Sequence, residues 1–273
     1  MKRSVFFLSD RTGITAETLG HSLLTQFEGV EFQKITMAFL DTLEKAQNAV
    51  ARINDAAIRD GAKPLLFSTL LNEEVREIID TSDGMLFDFF DAFINPLELE
   101  LGIHSAHAVG RSHGMGVYSD YKSRIDAVNF AMGSDDGNTL RDYPHAEVIL
   151  VGVSRSGKTP TSLYLALQYG IRAANYPLIE EDLESDRLPE CLRPYREKLF
   201  GLTIAPERLQ QIRSERRPDS NYASIKQCRY EVRAAEGMFR AENIPFLDTS
   251  AVSIEEIAAT LLQQTGLKRR LYG

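Results

Sequence analysis

Residues Gly152 to Thr159 read GVSRSGKT and satisfy G-x-x-x-x-G-K-[ST] at every fixed position. With glycine near 7% of residues and typical frequencies elsewhere, a chance match in a chain of this length is roughly a 1% event. The residue types fit the capture of a nucleotide phosphate. Gly152 and Gly157 permit backbone conformations that turn successive N–H groups inward and bring the chain close to a phosphate. Lys158 supplies a mobile cation for the terminal phosphates, and the Thr159 hydroxyl is placed to ligate Mg²⁺. Val153, Ser154, Arg155 and Ser156 complete the loop, and Pro160 suits an early helical position that needs no donor.

Three other stretches carry residues capable of chemistry. SDRTGIT, Ser9 to Thr15, puts a carboxylate, a cation and hydroxyls (Asp10, Arg11, Thr12, Thr15) where a strand hands over to a helix. Such a turn either caps the helix or binds an anion. In HSAHAVGRSHGMG, His104 to Gly116, the three histidines His104, His107 and His113 have no acidic or cysteine partner at ligand spacing. Arg111 and His113 suit phosphate contacts or proton transfer better than zinc. Asp135-Asp136-Gly137 reads as a turn that could also hold a metal.

Which nucleotide chemistry follows is narrowed by what is missing. A guanine-reading N-K-x-D is absent, and the one D-x-x-G with hydroxyl context, Asp10 to Gly13, lies far upstream of the loop. That removes the GTPase switch. The apolar run Leu199–Ile204 ends in Ala205, Pro206 and Glu207 without an aspartate, so Asp248, after Ile244–Leu247, is the next candidate for metal or base. ERLQQIRSERR, Glu207 to Arg217, carries Arg208, Arg213, Arg216 and Arg217. These read either as a lid over a transferring phosphate or as a solvated charged face.

The elements that must position these residues show two periodicities. Short apolar runs (Val5–Leu8, Ile35–Leu40, Pro64–Phe67, Met85–Phe90) alternate with helix-spaced stretches (Thr15–Phe27, Leu43–Arg59, Glu73–Ile79). Asp41 and Glu44 resemble a capping box at the start of the second of these. From Asn95 to Tyr143 the pattern loosens around a short helix, Tyr121–Met132. A second α/β series then runs from Glu147–Val153 through Thr161–Tyr169, Ala173–Leu178, Leu199–Ile204, Glu207–Arg217, Lys226–Glu242 and Ile244–Leu247. It closes with Ser253–Gln264, opened by a Ser253/Glu256 capping box. Strand–helix–strand alternation with short connections predicts mostly parallel sheets. The expected organisation is an N-terminal α/β domain over residues 1–105, a connecting region over 106–143, and a P-loop kinase-like α/β domain over 144–273.

Composition agrees with a globular protein: 273 residues, 43% apolar, 26% charged, formal net charge −8. The acidic balance argues against a nucleic-acid or anionic-membrane partner. Cys191 and Cys228 form neither a disulfide framework nor a zinc pattern. The N-terminal apolar run, Val5–Leu8, is too short for an export signal and no stretch reaches a membrane span, so a cytoplasmic location is expected.

Taken together, the segments SDRTGITAETLGHSLLTQF, GRSHGM, YKSRIDAVNFAMGSDDG, GVSRSGKTPTSLYLA, NYPL, LFGLTIAPERLQQIRSERR and SIEEIAATLL resemble the pyruvate, water dikinase regulatory proteins. These are also called phosphoenolpyruvate synthase regulatory proteins, relatives of the plant pyruvate, phosphate dikinase regulatory protein. The resemblance runs from about Val5 to Leu262. It implies a bifunctional serine/threonine kinase that uses ADP to phosphorylate and inactivate the dikinase. It also implies a phosphorylase activity that uses inorganic phosphate to remove the group, releases pyrophosphate and restores activity. The nucleotide loop of the family maps onto Gly152–Thr159. Expected around it are ADP, inorganic phosphate and Mg²⁺, catalytic contributions from Lys158, Arg11, His113 and Asp248, and a homodimer. The SDRTGIT turn and the middle loop are expected to complete the site, across domains or across a dimer interface. The bare residues also accommodate an ATP-dependent P-loop kinase of a small metabolite, or an ADP sensor without catalysis.

Overall fold

The computed structural model describes residues 2–105, 118–135, 140–185 and 187–268. The chain divides into two compact units, residues 1–114 and 115–273.

The first unit alternates strand and helix throughout: β1 (Lys2–Leu8), α1 (Ile14–Leu24), β2 (Glu31–Met37), α2 (Leu43–Asp60), β3 (Leu65–Ser68), α3 (Glu73–Asp80), β4 (Met85–Asp88) and α4 (Phe89–Leu101). The four strands form one parallel sheet in the order β2-β1-β3-β4. Side chains on a strand alternate between its faces, and in β1 both sets are buried. Phe6 and Leu8 pack with Ala46, Ala49, Ile53 and Ala56 of α2, while Val5 and Phe7 pack with Ala16 and Leu24 of α1. Gly20 lets α1 lie close to the sheet, since a Cβ there would fall 2.5 Å from the Phe7 ring.

Four sequence expectations need correcting here. The apolar run Met85–Phe90 is not one strand: Asp88 accepts from the backbone N–H of Phe90 and Asp91, both at 2.9 Å, and starts α4. That helix continues through Pro96 to Leu101, where a loosened pattern was expected. The cap of α2 is Thr42, whose hydroxyl accepts from the Lys45 N–H, while Asp41 pairs with the Lys45 ammonium at 2.5 Å. β2 begins at Glu31, earlier than its apolar residues suggest, because it is an edge strand with a largely exposed, polar surface.

The second unit opens with α5 (Tyr118–Gly133) and continues through β5 (Val148–Gly152), α6 (Lys158–Tyr169), β6 (Ala173–Pro177), α7 (Glu180–Glu184), β7 (Leu199–Thr203), α8 (Pro206–Arg216), α9 (Ile225–Ala241), β8 (Phe246–Asp248) and α10 (Ile254–Thr265). Its parallel sheet has the order β6-β5-β7-β8. Ile149 and Val151 of β5 face Val232, Ala235, Met238 and Phe239 of α9; Val148 and Leu150 face Leu165 of α6 and Ile257, Ala258, Leu261 and Leu262 of α10. A sheet covered on both faces explains why β5 is apolar at every position but its last. The Ser253/Glu256 capping box opens α10 as expected. Among the described residues no helix is long and apolar enough to cross a membrane.

Candidate functional site

The loop between β5 and α6 is built around close approach and reversed backbone. β5 delivers the chain from the centre of the sheet, with all five residues buried. A Cβ on Gly152 would lie 2.2 Å from the Leu202 carbonyl oxygen of β7, so only glycine allows the strand to end there. Arg155 (φ 75°) and Gly157 (φ 91°) both adopt left-handed backbone, and Gly157 caps α6 without side-chain help. The first turn of α6 contains no acidic residue, so its free N–H groups and the helix dipole present positive potential at the loop.

Lys158 is 5% exposed and folds back over the loop, donating to the carbonyls of Gly152 (3.0 Å) and Val153 (2.8 Å). Its charge therefore lies within the loop rather than in solvent. Ser156 is fully buried, and its hydroxyl has no hydrogen-bond partner among the described residues. Thr159 donates its hydroxyl hydrogen to Asp135 Oδ1 at 2.8 Å. Asn175 of β6 donates to that same carboxylate oxygen and lies 3.5 Å from the Thr159 hydroxyl. Asn175 is itself fixed, because the Tyr143 hydroxyl donates to its carbonyl (3.0 Å) and its N–H donates to the Ser134 carbonyl (3.3 Å). Burial pushes the Tyr143 phenol well above its ordinary range, which keeps it a donor.

A second set of contacts braces the loop from the α8 side. Arg213, fully buried, makes a bidentate pair with Glu231 (3.1 and 2.6 Å) and donates to the carbonyls of Tyr222 (3.0 Å) and Ser154 (3.1 Å). Its guanidinium lies 4.1 Å from the Tyr222 ring centroid, and the Tyr222 hydroxyl bonds Ser154 Oγ at 2.9 Å. Burial alone would lower the Arg213 pKa; the Glu231 hydrogen bonds and charge outweigh it and raise the value. Thr249 adds a bond from its hydroxyl to the Ser156 carbonyl at 3.1 Å. Of the four arginines read as a lid or a solvated face, Arg213 is thus neither: it is buried, and both terminal nitrogens of its guanidinium are engaged by Glu231, Tyr222 and the loop carbonyl of Ser154. Arg208 bonds Gln211, while Arg216 and Arg217 are exposed.

The remaining sequence candidates fall as follows. Asp248 ends β8, is exposed, and accepts from both the N–H (2.9 Å) and the hydroxyl of Ser250. Arg11 belongs to the first unit, where its side chain is exposed. Its charge joins Lys45, the main cause, in holding the Asp41 carboxyl below its ordinary range. Asp10 is turned inward and accepts from the Leu71 N–H at 3.2 Å, and α1 starts at Gly13 (φ 81°) with no side-chain cap. His104 approaches Glu98 at 3.6 Å. His107, Arg111, His113, Asp136 and Gly137 lie outside the described residues. Among the described residues no group of three or more His, Cys, Asp or Glu could hold a metal.

Asp135 had the weaker signal. Its stretch reads as a turn that could also hold a metal, and it precedes the loop, in the turn that follows α5, whereas Asp248, the candidate for metal or base, follows the loop. The loop's own threonine, with an Asp-Asp-Gly turn shortly before the loop strand, is the only sequence hint.

The sequence pattern of the kinase/pyrophosphorylase family matches residues 5–262. Similar full-length proteins are each named a phosphoenolpyruvate synthase regulatory protein. One from Hahella chejuensis is 57% identical over 99% of this chain and 100% of its own length. One from Ectopseudomonas mendocina is 55% identical over 99% and 100%. One from Aromatoleum aromaticum is 57% identical over 99% and 98%.

Proposed function

The chain belongs to the kinase/pyrophosphorylase family, and from that premise we propose that it is a bifunctional serine/threonine phosphotransferase that regulates phosphoenolpyruvate synthase (pyruvate, water dikinase). In the inactivating direction a threonine hydroxyl of the synthase attacks the β-phosphorus of ADP. The bond to the bridging oxygen breaks, AMP leaves, and the hydroxyl proton is released. In the activating direction an oxygen of inorganic phosphate attacks the phosphothreonine phosphorus. The bond to threonine Oγ breaks, pyrophosphate leaves, and the oxygen regains a proton.

The observation that carries this reading is the Lys158 ammonium held inside a glycine-turned loop at the start of α6. Phosphoryl transfer asks a protein chiefly to position reactants and neutralise charge. The loop N–H groups and Lys158 would hold the ADP phosphates, with Lys158 exchanging its carbonyl partners for phosphate oxygens. The donor set beside them, a threonine hydroxyl and a carboxylate, is hard oxygen and suits Mg²⁺. Bound there, Mg²⁺ would neutralise phosphate charge, with Thr159 as its loop ligand. Arg11, His113 and Asp248 are proposed contributors to the phosphate-dependent direction and to proton transfer. The names of the similar proteins point to the synthase as the protein substrate.

The deciding assay supplies the protein and the synthase with ADP labelled on its β-phosphate and, in parallel, with γ-labelled ATP. Label passing from ADP to a synthase threonine is expected. Label passing only from ATP to a small molecule would identify a metabolite kinase instead, and ADP binding without transfer would identify a sensor.

A further inference from the structure

We propose that Asp135 is the positioning carboxylate for a divalent cation that arrives with the nucleotide's phosphates, and that it acts through Thr159. This rests on the reading of Gly152–Thr159 as the ADP loop.

A threonine hydroxyl has one hydrogen. When that hydrogen is given to Asp135 Oδ1, as the 2.8 Å bond requires, the oxygen's lone pairs face away from the carboxylate; Asn175 Nδ2 approaches one at 3.5 Å, and the other is left for a cation. Accepting the hydrogen also makes the hydroxyl oxygen a better ligand, as outer partners do for metal-bound groups in general. The carboxylate is itself pinned by Asn175, a side chain 1% exposed, whose backbone is anchored at both its N–H and its carbonyl. The ends of the downstream strands carry contacts of their own. Thr203, at the end of β7, donates to Glu236 at 3.0 Å, and Asp248, at the end of β8, accepts from Ser250. Asp135 therefore brings a negative charge to the loop's threonine from the turn after α5, which precedes the loop in chain order.

The electrostatics give this role a signature. A bare carboxylate next to a diphosphate repels it, whereas a cation between them converts the repulsion into attraction. Asp135 should thus oppose ADP binding without metal and favour it with metal.

The test is the affinity of the full chain for ADP by titration calorimetry, in excess MgCl₂ and in EDTA, for the wild type, Asp135→Asn and Asp135→Glu. Thermal unfolding serves as the check on folding. Asp135→Asn keeps the shape and an acceptor for Thr159 while removing the charge. It is expected to bind ADP about 10- to 100-fold more weakly in Mg²⁺, and equally or more tightly in EDTA. Asp135→Glu, which retains the charge, keeps part of the Mg²⁺ enhancement. With Mn²⁺ in place of Mg²⁺, the loss of free-ion EPR signal caused by protein plus ADP should shrink in Asp135→Asn. Equal weakening in both buffers would make Asp135 a packing residue and overturn the proposal, as would an unchanged Mg²⁺ enhancement. A folded wild type that binds no ADP in either buffer would overturn the ADP-loop reading and this proposal with it.

Discussion

The chain contains two turns of one kind. Each leaves the first strand of a four-stranded parallel sheet with the order second-first-third-fourth, and each enters a helix capped by a left-handed glycine, Gly13 (φ 81°) or Gly157 (φ 91°). Their sequences even run in step, Arg11-Thr12-Gly13-Ile14-Thr15 against Arg155-Ser156-Gly157-Lys158-Thr159. The side chains diverge where a polyphosphate would feel them. β1 ends in the buried Leu8, whereas β5 ends in Gly152, pressed against the Leu202 carbonyl. Ile14, 54% exposed, replaces the lysine, and Asp10 places a carboxylate where the other turn has Ser154. The shared frame supplies helix N–H groups and a dipole, a modest attraction for any anion. The net positive charge that suits a diphosphate, from Arg155 and Lys158, belongs to the second turn; in the first, Asp10 offsets Arg11.

That contrast can be broken experimentally. The largest effect is expected for Lys158→Ala, which should lower ADP-dependent transfer by roughly a hundredfold or more while the protein stays folded. Retained transfer would mean the loop is not the donor site. Arg213→Met comes next, because it strands Glu231 beside the loop with no cation. A loss of about 3–5 kcal/mol in unfolding free energy is expected, read by denaturant titration, with recovery when Glu231→Leu is added. A drop below 1 kcal/mol would mean that the brace is dispensable. The smallest effect belongs to Arg11→Ala. It should leave ADP affinity unchanged and slow only the phosphate-dependent direction, by about tenfold; both activities intact would remove Arg11 from the site.

Much of this was legible in the sequence. The alternation of apolar runs and helical spacing announces parallel α/β units, and the glycines, lysine and threonine of the loop announce its chemistry by type and spacing alone. What stayed hidden depended on partners remote in sequence. Arg213 lies in a helix with charge on all sides, and nothing marks it as buried until Glu231, eighteen positions on, is brought against it. Asp135 becomes significant only because β6 places Asn175 beside Thr159. The error at Met85–Phe90 was local: the run MLFDFF is apolar enough for a strand, and its one polar residue, Asp88, is the helix cap.

Whether the second turn and not the first receives the nucleotide is decided by hydrogen–deuterium exchange of the full chain with and without ADP and Mg²⁺. Slowed exchange across residues 152–162 with no change across residues 9–18 is the expected result. Protection at residues 9–18 without protection at 152–162 would contradict it.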